Sequence, residues 1–446
     1  MGPTMPKADE FKAAVARRLL AVVAPLLQRL VQKGELVLID AADNQRTFGS
    51  PGTGPRVIVR LHSLDLPLRL LFNPSLTLGE AYMGGDLTIE EGTLRDLLFV
   101  LSSNLSALDT APLERLRMKL GRLSHMLQPI RRRRAKANVA HHYDLSGELY
   151  ELFLDQDLQY SCGLFGDGCS TLDDAQAAKR SHISKKLAIE RGNRVLDIGC
   201  GWGGLAIELA QTYGAEVTGI TLSEEQFRRA GERARNEGVE GLANFRLADY
   251  REIEEQFDRI VSVGMFEHVG APSFKAFFDT IKENLAPRGI ALVHSIGRME
   301  PPGGRDPWIN KYIFPDGYIP ALSETLAAIE RSGLWVTDIE ILRIHYADTL
   351  RHWYERFQDR REQAHTLYDE RFCRMWEFYL AACEMMFRNG SLMVFQIQLA
   401  QERDAVPLTR DYLHIDCEPK RSIWDSQISN DCALREAQQR RSGETA

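Results

Sequence analysis

The chain has 446 residues, 44% hydrophobic and 26% charged, with a net charge of −7, enough for two or three domains with a sizeable core. No apolar run reaches the roughly 18 residues of a membrane span, and Met1 to Glu10 lacks the apolar core of a signal peptide. The seven cysteines (162, 169, 200, 373, 383, 417 and 432) are odd in number and form no C-x-x-C pair, which argues against a disulfide framework or a zinc site and for a reducing cytoplasm.

In chain order, residues 7–33 read as an amphipathic helix, with Val15, Leu19, Leu20, Val23, Leu26, Leu27 and Leu30 at helical spacing. Residues 35–40, 56–62 and 67–72 read as short strands between Gly and Pro breaks, and Leu94 to Leu105 as a helix. Together these predict a small α+β domain over residues 1–112. A basic linker, 113–137, follows. Residues 1–137 carry 20 Lys/Arg against 13 Asp/Glu and the remainder 35 against 49, an asymmetry that often marks an interaction surface. The excess concentrates in Arg115, Arg117, Lys119, Arg122, Arg131 to Arg134 and Lys136; an isolated run of this kind also reads as a solvated linker.

From residue 138 the texture changes. His141 to Phe165 reads as helical and aromatic. Strand candidates then follow at Arg194–Gly199, Glu216–Thr221, Ala243–Asp249, Phe257–Gly264 and Gly289–Ile296, separated by helical stretches such as Ser223–Asn236 and Pro272–Leu285. That alternation predicts an α/β, doubly wound and mostly parallel sheet. Residues 322–387 are helix-rich around one more strand, Leu334 to Leu342, and Leu392 to Leu399 supplies a last one. The catalytic domain is thus expected over 138–412, with 413–446 a polar, poorly ordered tail.

Val195 to Gly204 reads as a strand running into a glycine-rich turn and then a helix, with Gly199, Gly201 and Gly203 letting backbone approach a ligand at the strand's carboxyl end. It is neither G-x-G-x-x-G nor a P-loop. Asp197-x-Gly199-x-Gly201 resembles the first motif of class I S-adenosylmethionine-dependent methyltransferases (a Rossmann-like fold), which implies that Asp197 anchors the methionine end. Where many such enzymes carry an acid at the end of the second strand, this chain has Thr221, so Thr221 and Gln226 are expected to serve the ribose. Asp249 and Tyr250 are placed to border the adenine.

Further segments resemble the cyclopropane-fatty-acyl-phospholipid synthases and their mycolic-acid relatives: His142-Tyr143-Asp144-Leu145, Tyr160-Ser161-Cys162, Phe257 through Gly270, His294-Ser295-Ile296-Gly297, Asp306 through Pro315, and Trp353 through Phe357. They span about residues 138–412 in the family's order, and Asn73 to Met83 also looks like the family's amino-terminal lipid-binding domain. The resemblance implies a cyclopropane synthase, transferring a methyl from S-adenosylmethionine to the cis double bond of a phospholipid acyl chain through a carbocation. Bicarbonate would be the base, with ligands Cys162, Glu267, His294, Ile296 (backbone) and Tyr354, while Tyr160 and Ser161 join the cofactor site. No metal is implied. Related enzymes turn the same cation into a methylene or methyl branch. The fold also serves small-molecule methyltransferases, and a non-catalytic lipid binder could be built on it. Independently, Glu267 and His294 fall at the carboxyl ends of neighbouring strands, where both can face the cofactor crevice. Tyr160, Phe266, Trp308, Tyr312 and Tyr354 are the rings expected to face the cation. The expected partners are unsaturated phospholipids, anionic ones favoured, at the inner face of the cell membrane, with the enzyme cytoplasmic, peripheral, and a homodimer or higher homo-oligomer.

Overall fold

The computed structural model describes Arg18, Ala21 and residues 24–104, 146–166 and 169–414. Most of the first expected helix, the basic linker, His142 to Leu145, the 112/113 and 137/138 boundaries and the tail from 415 onward lie outside these residues.

The amino-terminal part holds a four-stranded sheet of order β2-β1-β3-β4, from β1 (Glu35–Ile39), β2 (Gln45–Gly49), β3 (Arg56–Leu61) and β4 (Leu87–Glu91). β1 and β3 run parallel and the other pairs antiparallel. In β3, Val57, Val59 and Leu61 point alternately inward, the period-two pattern of a half-buried strand. Residues 67–72, expected as a strand, lie instead in helix α1 (Leu66–Phe72). Leu-Pro-Leu-Arg-Leu-Leu-Phe is too short for periodicity to decide, and Pro67 sits in the first helical turn, where its missing N–H costs nothing. α2 (Pro74–Gly84) and α3 (Leu94–Ser102) complete this part; a Thr93–Asp96 capping box starts α3, which ends three residues short of the expected Leu105.

The second part begins with α4 (Gly147–Phe153) and α5 (Leu172–Lys186). There follow β5 (Arg194–Ile198), α6 (Gly204–Tyr213), β6 (Glu216–Thr221), α7 (Glu224–Asn236), β7 (Ala243–Leu247), β8 (Phe257–Val263), α8 (Phe274–Asn284) and β9 (Leu285–Arg298). Last come α9 (Pro307–Tyr312), α10 (Leu322–Ser332), β10 (Trp335–Leu342), α11 (His345–Asp359), α12 (Arg361–Leu367), α13 (Glu370–Asn389) and β11 (Leu392–Ala400). The seven strands order as β10-β11-β9-β8-β5-β6-β7, parallel except that β11 runs antiparallel to both neighbours. The chain leaves β5 first toward β6 and β7, then returns to its other side with β8. This reversal opens a crevice at the carboxyl ends of β5 and β8.

Of His141 to Phe165, only Gly147–Phe153 is helical among the described residues; 154–166 run irregularly. Asp155 breaks the helix by accepting from Gln159 N at 2.8 Å and Asp157 N at 3.1 Å, and the turn it makes holds Leu158 at φ +55°.

The two parts share buried contacts. Arg95 grips the fully buried Glu384 through two 2.8 Å bonds, and Tyr82 Oη donates to Glu377 at 2.9 Å. Trp308 packs against α2 at Gly79, where a Cβ would stand 2.2 Å from its Nε1.

Candidate active site

The glycine-rich turn after β5 opens one cleft. Gly199 (φ +82°) and Gly201 (φ +53°) occupy the left-handed region, and a Cβ on Gly201 would meet nothing, so this backbone borders open space. Of the ten residues expected to hold the cofactor, Tyr160, Ser161, Asp197, Gly199, Gly201, Thr221, Gln226, Asp249 and Tyr250 line that cleft. Gly203 does not. It begins α6, and a Cβ there would strike Phe245 at 2.8 Å, so this glycine serves packing of the turn against β7.

Asp197 is 2% exposed, and burial pushes its carboxyl up to about 7 while Lys179 pulls it back. At the end of β6, Thr221 Oγ1 donates to Gln226 Oε1 at 2.7 Å, a neutral pair in place of an acid. Asp249 is held by the Arg251 guanidinium, with Nε at 2.8 Å from Oδ1, so its charge is neutralised within the cleft wall.

Glu267 sits in a short 3-10 turn, Phe266–His268, just past β8 and between the cleft residues Met265 and His268. Ile296 N–H on β9 donates to its Oε1 at 2.6 Å, while Oε2 is buried with no hydrogen-bond partner. Burial pushes this carboxyl up to about 7. His294 lies across from Val263 in the β8–β9 register, 2% exposed, and Gln396 Nε2 stands 3.1 Å from its Nδ1. Burial, with Lys179 and Lys186 adding to it, drives the ring down to about 3, so it is neutral. Cys162, next to the cleft residue Ser161, is 1% exposed, and its Sγ donates to Gly163 O at 3.2 Å. Burial lifts the thiol far above its usual range, so it is no nucleophile.

Tyr354 is not brought to this group. It lines a second cleft with Tyr82, Gln358, Arg361 and Glu377, between the amino-terminal part and α11–α13, and Arg95 lies 5.8 Å from its ring centre. The α11 tyrosine on the Cys162 side is Tyr346, on the buried face with Thr349 and Trp353; Thr349 Oγ1 accepts from Gly163 N at 3.0 Å. Nor do the expected cation-facing rings converge. Only Tyr160 lines the cofactor cleft, stacked on Trp353 at 5.0 Å and bonded through its hydroxyl to Tyr379 at 2.7 Å. Phe266 is fully buried against Phe274 at 4.4 Å, and Trp308 packs with Tyr312 and Phe378 beneath the amino-terminal part. Behind Tyr160 stands an apolar wall of Tyr150, Phe153, Trp353 and Trp376.

Sequence reading missed the support for loop 154–166. Helix α5 turns Gln176 and Lys179 onto it: Gln176 Nε2 donates to Ser161 O at 2.8 Å, and Lys179 Nζ donates to Ser161 Oγ at 3.0 Å. Polar residues on a charged helix read as a solvated face, so this contact leaves no signal in the spacing. Among the described residues no helix is long and apolar enough to cross a membrane.

The family model described as mycolic acid cyclopropane synthetase matches residues 130–397. The cyclopropane-fatty-acyl-phospholipid synthase of Escherichia coli (strain K12) is 40% identical over 342 residues, 76% of this chain and 86% of that protein. A probable fatty acid methyltransferase of Pseudomonas putida is 37% identical over 89% of this chain and 100% of its own length. The crystal structure of mycolic acid cyclopropane synthase CmaA1 complexed with SAH and CTAB superposes with a TM-score of 0.56 at 33% identity, covering 59% of this chain and 97% of that one. A cleft built on D-x-G-x-G, a doubly wound sheet and relatives of this similarity converge: the chain belongs to the mycolic acid cyclopropane synthetase family, S-adenosylmethionine-dependent methyltransferases of the cyclopropane synthase type.

Proposed function

We propose that the enzyme carries the sulfonium methyl of S-adenosylmethionine to the cis double bond of an unsaturated phospholipid acyl chain and closes a cyclopropane ring. The observation that carries this reading is the buried, unpartnered Oε2 of Glu267, beside a cofactor cleft that Tyr160 lines with an aromatic stack behind it. The alkene π-electrons attack the methyl carbon, the S–CH3 bond breaks, and S-adenosylhomocysteine leaves. The resulting carbocation must be shielded from water, which would trap it as an alcohol; Tyr160 and the rings behind it supply that shield. A proton then leaves the new methyl, and the C–H electron pair closes the ring.

A bicarbonate ion fits the donor set, since its hydroxyl matches the acceptor Glu267 Oε2 and its oxygens match the N–H of neutral His294. Bound there, it would supply the base for the methyl proton. Ile296 spends its N–H on Glu267 and so positions the carboxylate, and Cys162 closes the wall as a small apolar group. Tyr354 has no part in this set. Incubation with S-adenosylmethionine and vesicles of unsaturated phospholipid is expected to give ring protons far upfield in the proton NMR spectrum. A new branch signal without ring protons would move the enzyme to the fatty acid methyltransferases, as the name of the Pseudomonas putida relative suggests.

The acyl chain is reached from the membrane surface. Arg115 to Lys136 holds nine basic residues and no acid, and each Lys/Arg near an anionic surface contributes about 1 kcal/mol, fading within a Debye length of roughly 8–10 Å. Binding to vesicles is therefore expected to rise with anionic lipid and fall with salt. Replacing Arg131 to Arg134 by Ser should weaken it in a low-salt sedimentation assay without changing cofactor affinity; equal binding of both proteins would leave the segment a solvated linker.

A further inference from the structure

Lys179 is a buried amine, 1% exposed, in the middle of α5. Its Nζ donates to Gln159 Oε1 at 2.5 Å and to Ser161 Oγ at 3.0 Å, and both of those residues line the cofactor cleft. Holding the loop does not require a charge: one turn earlier Gln176 does so with a neutral amide, donating to Ser161 O and to Gln159 O at 3.3 Å. A buried ammonium is costly to desolvate, so its retention calls for a second reason.

That reason lies on the neighbouring elements. The titratable groups electrostatically linked to Lys179 are Asp155 and Cys162 on the loop, Arg180 on its own helix, Glu208 on α6, Asp197 on β5 and His294 on β9. For Asp197, Lys179 is the charge that opposes the effect of burial. Ser161 has one proton to donate, and with the ammonium occupying a lone pair its O–H is turned away from Lys179. The methionine end of the cofactor carries one ammonium and one carboxylate, and so needs an anion and a donor side by side.

We propose that Lys179 is a positioning residue for that end: hydrogen-bonded to Ser161, its buried ammonium aims the Ser161 hydroxyl at the cofactor's carboxylate, and its positive charge favours Asp197 as the anion for the cofactor's ammonium. The proposal rests on the assignment of the cleft to S-adenosylmethionine. Burial lowers Lys179 to about 8, so it loses charge within reach of ordinary buffers.

The test is calorimetric binding of S-adenosylhomocysteine to the full-length enzyme from about pH 6 to about 9.5, with Lys179→Met, Lys179→Gln and Lys179→Arg variants. Wild type should lose affinity on the acid side as Asp197 protonates and again above about pH 8 as Lys179 discharges. Lys179→Met and Lys179→Gln should bind about tenfold or more weakly near neutrality and move the acid limb up by about one pH unit, because one unit is a factor of ten in protonation. Lys179→Arg should restore affinity and erase the alkaline limb, since a guanidinium does not discharge there. A folded Lys179→Met with the wild-type constant and acid limb overturns the proposal. Should the neutral variants not fold, an alkaline limb unchanged in Lys179→Arg, or absent from wild type once the ligand's own titration is subtracted, overturns it equally. Asp197→Ala binding as wild type would instead sink the cleft assignment itself.

Discussion

Glu267→Gln is expected to lower formation of the cyclopropane product about 10²–10⁴-fold, the scale lost with a positioned base, while leaving S-adenosylhomocysteine affinity unchanged. The amide keeps the Ile296 N–H bond through its oxygen, but places an N–H2 where Oε2 now waits as an acceptor. The same change should stabilise the ligand-free protein at alkaline pH. A carboxyl at about 7 in the fold against an ordinary 4.5 means that the native state keeps a proton the unfolded chain has lost. Stability therefore falls as pH rises from 4.5 toward 7 and stays lowered above it. Removing that buried charge is worth up to about 3 kcal/mol at pH 8, less whatever the unpaired amide costs. Melting curves should then show Tm rising for the variant at pH 8 and not at pH 4.5. Full activity in Glu267→Gln would remove the carbocation reading's central group; His294→Ala should share the loss in rate.

The second large effect falls on the cofactor. Asp197→Ala should weaken S-adenosylmethionine binding by about 1.5–3 kcal/mol, the range of a lost charged hydrogen bond. Because burial holds Asp197 at about 7, wild-type affinity should improve as pH rises through neutrality and the carboxylate forms. Asp197→Asn should bind weakly throughout and lack that dependence. Calorimetry giving equal constants for wild type and Asp197→Ala would mean that the glycine-rich turn serves another ligand.

What could be read from sequence divides by the range of the interaction. β6 came out residue for residue, and β5, β7 and β8 within two, because each is bounded by glycines or polar turns. The cleft followed, since its glycines and strand-end residues are set by local backbone geometry. Contacts between a loop and a helix leave no such trace: Lys179 meets Ser161 eighteen positions away, and nothing in the spacing announces it. Tyr354 is expected at the site from the resemblance of Trp353 through Phe357 to the family, but on α11 the side facing Cys162 is fixed by Thr349, which puts Tyr346 there instead. Phe266 is misplaced for a similar reason. Adjacent to Glu267, it points the other way, into the pile of Phe274, Phe277 and Phe278.

The junction between the two parts has a consequence for how this chain can be cut or recombined. Glu384 is fully buried and takes Arg95 from the first ninety-odd residues as a bidentate partner, while Trp308 needs the bare backbone of Gly79 to lie against. A fragment beginning at α4 would leave that carboxylate with Arg388 alone on one flank and expose an indole face. The amino-terminal part, through its helices α2 and α3, is thus no detachable cassette. It is part of the wall against which α13 is built, and grafting it onto another methyltransferase requires carrying Glu377, Glu384 and Trp308 along with it.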